Sequence, residues 1–423
     1  MNGRTAAILV VILGALVAAV ILTTPGAGGP GVGRVVPLVG VPASQIGEIG
    51  STDGTIVVRI VPRPDWGGWV LSQSFADDTN ASAPSWPVSE TTRAAGVRVL
   101  ANATLRVERN DPAEHPRGVT ILSLNRGVLC ALSFDDQALG GRVAASVLGG
   151  ERGTIERELA NFLSMESLLA WRDSAVLPGL DASVVTISID REGDLLSLRR
   201  VGSAWALELP VVEPADGARV QELLDGLVGA GSERFVGDKP ESEIVTLMVE
   251  AGPSGDRRRY TAVIDTSSLV ADVMLFKTDG ETTTEVAQAS MRVPAEFAGL
   301  LDIDVVDVVS RRSVATPASE VAGMTLTWSG RELARTSSGW ASSEDESTAE
   351  SWLDLLTKRD ADAIEMSAGE AEDVGAIELS GFGDLAMGSV RVRVGEGMLW
   401  AAKDRVWRGY RVSGDDLVRL GVR

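Results

Sequence analysis

The stretch LLSLRRVGSAWALELPVVEPADGARVQELLDGL, residues 195–227, carries the pattern from which we predict the fold. Two β-rich runs, LLSLRRV and WALELP, are separated by a glycine-containing turn, which predicts a hairpin. Pro214, Ala215 and Asp216 then give a helix start signal, with Asp216 as the capping residue. Apolar residues follow at intervals of three and four, which predicts one apolar helix face against the sheet. These residues are Val220, Leu223, Leu224, Leu227 and Val228.

Similar segments occur at three places in the chain. PASQI from Pro42, LDASV from Leu180 and PASEV from Pro317 start 138 and 137 residues apart. Each is followed by short β-rich runs, glycine-containing turns, one or more tryptophans and an amphipathic stretch. A nearly constant interval of this kind indicates internal repetition. In the first copy a terminal helix is expected at ERELANFLSMESLLAW, residues 156–171.

From this pattern we predict an α+β fold with an N-terminal transmembrane helix and three repeated units. Each unit is expected to be an antiparallel β-meander with one or two packed amphipathic helices. The predicted divisions are a cytoplasmic N-terminus at 1–5, a transmembrane anchor at 6–22, a Gly/Pro tether at 23–40, and repeats at 41–178, 179–316 and 317–423.

The N-terminal region determines the predicted location of the protein. Residues 6–22, AAILVVILGALVAAVIL, are apolar and uncharged, close to the ~20 residues of a membrane-spanning helix. The core is long for a cleaved signal peptide, which is the alternative. Arg4 is expected to hold the N-terminus in the cytoplasm. The prediction is a single-pass protein of the inner membrane, attached through residues 6–22, with its bulk in the periplasm.

The glycines Gly26, Gly28 and Gly31 match the pattern G-x-G-x-x-G of dinucleotide-binding loops. Such a loop needs a strand before it and a helix after it, and the sequence predicts neither. Pro30 also removes one backbone N–H donor. We therefore interpret the segment as a flexible tether and predict no nucleotide cofactor.

Composition limits the remaining functions. The formal net charge is −20, which argues against nucleic acid as a partner. Cys130 is the one cysteine and lies in the apolar run GVLCALSF, which predicts a buried thiol. His115 is the one histidine and lies in a polar turn, so no metal site is expected. No nucleophile motif accompanies His115, and Glu222 is expected to face solvent on the predicted helix, so we predict no catalytic residues and no enzyme.

Tryptophan is enriched, with 10 Trp against 7 Phe and 2 Tyr. Trp205 and Trp340 recur at one repeat position, which is typical of core residues. Trp66, Trp69 and Trp86 are instead the candidate ligand-binding residues, because indole rings stack on sugars. They support an alternative function, that of an extracytoplasmic protein that binds glycan or another small ligand.

The anchor, the segment LLAWRDSAVLPGLDASVVTISI (168–189) and the hairpin-Trp-Pro-helix run resemble the bacterial family catalogued as domain of unknown function 4340. The resemblance is best over residues 168–236, recognisable over 305–366 and weak in the first copy. It implies a single-pass protein that faces outward, associated with ABC-type exporters like those of gliding motility. It also implies subunits of such exporters as partners and supplies no catalytic residues. The leading prediction is therefore a non-catalytic accessory protein of the cell envelope.

Overall fold

The fold is mostly β. Strands contain 49% of the described residues and helices 21%, so the predicted α+β class is wrong. The physical reason is the length of the elements, since strands reach 12 residues whereas the helices that end each unit have 4 to 6 residues. The computed structural model describes residues 33–63, 67–75, 85–108, 117–139, 141–148, 150–336, 339–383, 385–403 and 405–422.

Within these residues, no helix has both the length and the apolar character needed to cross a membrane. This finding contradicts the predicted fold with a transmembrane helix and the predicted single-pass location in the inner membrane. The predicted span at 6–22 and the glycine motif at 26–31 lie outside the described residues. The tether predicted over 23–40 ends in a strand, because Val35–Pro37 pairs with part of the first unit.

The first unit begins with a 3-10 turn at Ala43–Gln45. The helix predicted over 156–171 is divided in two, because Ser164 caps a new helix by accepting a hydrogen bond from the Ser167 N–H. The strands are β1 (Val35–Pro37), β2 (Ile46–Thr52), β3 (Ile56–Arg63), β4 (Gly68–Phe75), β5 (Ser85–Pro87), β6 (Thr104–Val107), β7 (Arg117–Ser123), β8 (Val128–Leu139), β9 (Arg142–Val147) and β10 (Arg152–Glu156). The helices are α1 (Glu90–Asn102), α2 (Arg157–Phe162) and α3 (Met165–Leu169).

The second unit contains the stretch from which the fold was predicted. Asp216 caps its long helix by accepting from the N–H groups of Ala218 and Arg219, as predicted. The strands are β11 (Val184–Arg191), β12 (Asp194–Val201), β13 (Ala204–Leu209), β14 (Glu213–Pro214), β15 (Arg234–Phe235), β16 (Ile244–Ala251), β17 (Asp256–Asp265), β18 (Val270–Asp279) and β19 (Thr282–Arg292). The helices are α4 (Gly217–Gly229), α5 (Ala295–Leu300) and α6 (Val305–Val308).

The third unit begins with a 3-10 turn at Ala318–Glu320, and its long helix continues into a π-helical turn at Asp354–Lys358. Its strands are β20 (Val321–Leu326), β21 (Arg331–Thr336), β22 (Gly339–Trp340), β23 (Ala363–Glu365), β24 (Glu372–Gly381), β25 (Leu385–Gly395), β26 (Met398–Ala402) and β27 (Trp407–Arg411). Its helices are α7 (Ser343–Leu353) and α8 (Gly414–Arg419).

One antiparallel pairing pattern recurs in all three units. The first strand of each unit (β2, β11 or β20) pairs on one side with the second strand (β3, β12 or β21). On its other side it pairs with β7, β16 or β24, which is the strand that begins a four-stranded meander. The short strand after the long helix (β6, β15 or β23) pairs with the last meander strand. The third strand (β4, β13 or β22) pairs with the second and precedes the long helix.

A β-bulge also recurs, near the start of the first strand. The register shifts at Gly47 in β2, at Val185 in β11 and at Ala322 in β20. A Cβ atom at Gly47 would lie 2.5 Å from the backbone of Leu124, so only glycine fits there. In the first unit, the bulge therefore holds the turn between β7 and β8 close to the start of β2.

Each unit has an apolar core between one sheet face and its long helix. In the second unit, Leu223 and Leu227 of α4 pack into this core with Leu207 of β13. Four of the five predicted helix positions are buried, whereas Val228 is exposed. The core of the second unit also includes Trp86 from the first unit and Val406 from the third, and these residues lie at the joints between units.

Candidate functional site

The tryptophan at the start of the third strand is a repeat position. Trp69, Trp205 and Trp340 are each the second residue of β4, β13 and β22. Trp205 and Trp340 are buried, which confirms their interpretation as core residues. Trp69 is half-buried, packs against the core of the first unit, and has the Arg93 guanidinium 5.4 Å from its ring centroid. The ligand candidate Trp69 therefore occupies the same position as two core tryptophans.

Trp86, a second ligand candidate, is a core residue of the neighbouring unit. Its ring is 1% exposed and packs edge-on against Phe235 of β15, with centroids 5.9 Å apart. Its indole N–H donates to the carbonyl of Asp173 at 2.8 Å. A ring buried to this extent has no free face for a sugar. The third candidate, Trp66, lies outside the described residues.

Trp86 and Glu213 occupy equivalent places at the two joints between units. Trp86 on β5 pairs with Leu71 of the third strand, and Glu213 on β14 pairs with Leu207 of the third strand. A proline, Pro87 or Pro214, follows each of them. Trp86 enters the core of the second unit, where Ser85 also bridges to Gln288 of β19.

Glu213 instead forms an ion pair with Arg408 of the third unit. Arg408 Nη2 lies 3.0 Å from Glu213 Oε2, and the two side chains are 0% and 1% exposed. Arg408 also donates to the carbonyls of Ser310 and Val406. Glu213 Oε1 is buried without a hydrogen-bond partner among the described residues. The same repeat position thus joins units by apolar packing in one case and by a buried charge pair in the other.

The third unit lacks most of its third strand. The interval from the repeat tryptophan to the helix cap is 20 residues from Trp69 to Ser89 and 11 residues from Trp205 to Asp216. It is only 2 residues from Trp340 to Ser342. In consequence β22 pairs with β21 at only two positions. Within the described residues, no strand pairs with the outer side of β21 between Arg331 and Ala334.

Among the described residues, backbone groups on the open side of β21 have no strand partner. Thr336 pairs with Gly339 next to the turn, so the N–H and C=O of Thr336 face β22. Because alternate residues face the same side of a strand, the N–H and C=O of Ala334 and Glu332 face the open side. The side chains of Glu332 and Ala334 are exposed. Sequence reasoning missed this edge, although the short interval after Trp340 indicates it.

A small polar cleft of about 210 Å³ lies between the π-helical turn and α8 in the third unit. Arg359 in this cleft donates to Asp362 and to the Arg411 carbonyl, and Ser351 donates to the Ser347 carbonyl. The backbone N–H of Ser413, followed by its hydroxyl, lowers the pKa of Asp416. These polar groups are engaged in a helix cap, an ion pair and hydrogen bonds to backbone carbonyls, so the three side chains do not form a nucleophile with an adjacent base.

The titratable groups that are most shifted have structural causes. Burial raises the pKa of Cys130 to about 11, and the thiol is 3% exposed, which confirms the predicted buried thiol. Burial also raises the pKa of Tyr260 to about 12, and its hydroxyl donates to the Pro178 carbonyl. Glu222 is exposed and pairs with Arg219, as expected for a solvent-facing residue. His115 lies outside the described residues, within which no cluster of metal-ligating side chains occurs.

Comparisons with known proteins leave the family of this chain open. No protein-family model matches the chain, and no curated protein matches it. Among solved structures, the chain is similar to a DNA polymerase sliding clamp from Pseudomonas aeruginosa, with 10% sequence identity over 94% of this chain and 95% of that chain. The TM-score of this match is 0.14, and at that value the likeness carries no argument about fold or function. Membership in the family of domain of unknown function 4340 stays a prediction.

Proposed function

We propose that this protein is a non-catalytic interaction protein whose three units form one binding array. The observation that carries this proposal is the pair of buried joints at Trp86 and at Glu213–Arg408. Joints of this kind hold successive units in a fixed relation, as in repeat proteins that bind partners along extended surfaces. Ser351 and Arg359 in the polar cleft of the third unit are engaged in internal contacts, which also favours binding over catalysis.

The partner that we propose is a subunit of an ABC-type exporter, and its support is the resemblance of residues 168–236 and 305–366 to the family named above. The alternative of a glycan-binding protein has less support. Trp86 is buried, and Arg93 lies over the ring of Trp69.

Site-specific cross-linking in cells tests this function. A photoreactive amino acid is placed at Leu124, Val201 or Phe382, which are exposed positions in the first, second and third units. Irradiation, purification and mass spectrometry then identify the attached molecules, and cells kept in the dark are the control. We expect one exporter subunit to be attached from more than one unit. Glycan fragments alone, or no protein at any position, would contradict the proposal.

A further inference from the structure

We propose that the open side of β21 is a docking site for an extended, basic segment of a partner protein, which adds to the sheet as its missing third strand. In the first and second units this place is filled by β4 and β13. In the third unit, the interval from Trp340 to Ser342 is too short to fill it, and no other strand among the described residues pairs there. This inference rests on the proposed function and names the site and the kind of partner.

The geometry of the second unit indicates how an added strand would bind. There, Arg199 of β12 pairs with Ala206 of β13, and Val201 pairs with Ala204 next to the turn. Counted from the turn, Ala334 corresponds to Arg199. An added strand would therefore run antiparallel to β21 and accept a hydrogen bond from the Ala334 N–H. Strand addition to an open sheet edge is a recurrent mode of peptide recognition.

A second observation concerns Trp340, which lies where the pairing of β21 with β22 ends. Trp340 is the last residue of β22, and its indole nitrogen is buried without an acceptor among the described residues. In most proteins a buried donor of this kind has a partner. A carbonyl of an added segment next to Trp340 would supply one.

Charge favours a basic occupant from another protein over a second copy of this chain. The first turn of α7 carries Glu344, Asp345 and Glu346, and Glu332 is exposed on β21 itself. Arg331 is engaged by Glu344 and Asp345, at 3.4 and 2.7 Å. With a formal net charge of −20, two copies of the chain repel each other. Basic side chains on one face of an added segment complement Glu332, and basic side chains on its other face complement the acidic first turn of α7.

A synthetic probe makes the inference testable without knowledge of the natural partner. The probe is an acetylated, fluorescent peptide KAWALKLK, which repeats the third strand of the second unit with lysine in place of its glutamate and with lysine at both ends. The control peptide KAWAPKLK carries proline at its centre. We expect the full-length chain to bind the probe and not the control, and we expect slower hydrogen exchange at the Glu332 and Ala334 amides on binding.

Substitutions at the edge locate the binding. Ala334→Pro removes the N–H that faces the open side and leaves the pairing with β20 in place. It should weaken probe binding by about tenfold or more, whereas Ala334→Val, the matched control, should change it by less than about twofold. Glu332→Lys, which alters only an exposed side chain, should weaken binding of the basic probe by about threefold.

The outcomes separate this inference from the proposed function. Equal binding of the probe to wild type and Ala334→Pro, or no protection of the two amides, overturns the inference. If wild-type chain sediments as a dimer that Ala334→Pro dissociates, the occupant is a second copy and the inference is also overturned. If the cross-linking experiment attaches the same partner to wild type and to Ala334→Pro, the proposed interaction function stands, and the open side of β21 is excluded as the binding site.

Discussion

The carboxylate of Asp265 ties two loops of the second unit together. It accepts hydrogen bonds from the Ser267 hydroxyl at 2.6 Å, from the N–H groups of Ser267 and Ser268 at 3.0 Å, and from the Ser242 N–H at 3.1 Å. The Ser267 hydroxyl makes the largest contribution to holding the pKa of Asp265 far below its usual range, and the backbone N–H groups add to it. These bonds favour the ionised form, which is the form in which Asp265 stabilises the fold.

The pH dependence of unfolding tests this role. The pKa of Asp265 is lower in the folded state than in the unfolded state, where it is about 3.9. The stabilisation is therefore fully present above about pH 4 and is lost as the pH falls toward the folded-state pKa. Thermal unfolding between about pH 2 and pH 5 should show a steeper loss of Tm on acidification for wild type than for Asp265→Asn. Parallel curves for the two proteins would contradict the prediction.

Single residues show what could be predicted from sequence and what could not. The burial of Cys130 followed from its apolar neighbours, and the capping role of Asp216 from its place before a helix. Trp86 was interpreted as a ligand residue because indole rings stack on sugars, and its contact with Phe235, far away in the sequence, could not be predicted from local patterns. The bond from Ser242 to Asp265 is likewise not indicated by local patterns, since the two residues lie at the open end of the β16–β17 hairpin, away from its turn.

At the scale of elements, the tryptophans of the third strands should stabilise the cores of their units. Trp205→Ala and Trp340→Ala should each lower the free energy of unfolding by about 3–5 kcal/mol, because each removes a large buried ring. Trp69→Ala is the matched comparison at the same repeat position and should cost less, since Trp69 is only half-buried. Denaturant titration of the three variants measures the difference. Losses near zero for Trp205 and Trp340 would mean that these rings contribute little to packing.

Hairpins and the long helix of the second unit were readable from sequence because their signals are local. Glycine-containing turns and apolar intervals of three and four residues mark them. The terminal helix at 156–171 was predicted as one element because its apolar residues continue across Ser164, which starts a new helix instead. The open edge of β21 depends on a missing segment after Trp340, which becomes visible only when the three copies are compared.

At the scale of the whole molecule, the buried pair Glu213–Arg408 should hold the second and third units together. Glu213→Ala should lower the free energy of unfolding by about 3–5 kcal/mol, because it leaves the Arg408 guanidinium buried without a counter-charge. Glu208→Ala, which breaks the exposed pair with Arg199, is the control and should cost at most about 1 kcal/mol. Urea unfolding measures both, and equal small losses would show that the joint tolerates the unpaired charge.

The interval between Pro42, Leu180 and Pro317 was visible in the sequence and matches the spacing of the first strands β2, β11 and β20. The joints were not visible, because they combine residues from different units. Arg408 lies in the short run WRGYR, and nothing near it in the sequence indicates a buried partner at Glu213. Local patterns therefore indicated the units, whereas the contacts between units required the three-dimensional structure.

The different chemistry at the two joints has a consequence for folding. Neighbouring copies of one fold can exchange strands while the chain folds, and misassembled repeats are a characteristic failure of such proteins. If β14 took the place of β5, the carboxylate of Glu213 would be buried beside Phe235 and would lose its pairing with Arg408. If β5 took the place of β14, Arg408 would face an indole and lose its counter-charge. Each wrong exchange thus leaves Arg408 buried without its carboxylate partner, so the Glu213–Arg408 pair favours the native order of the three units.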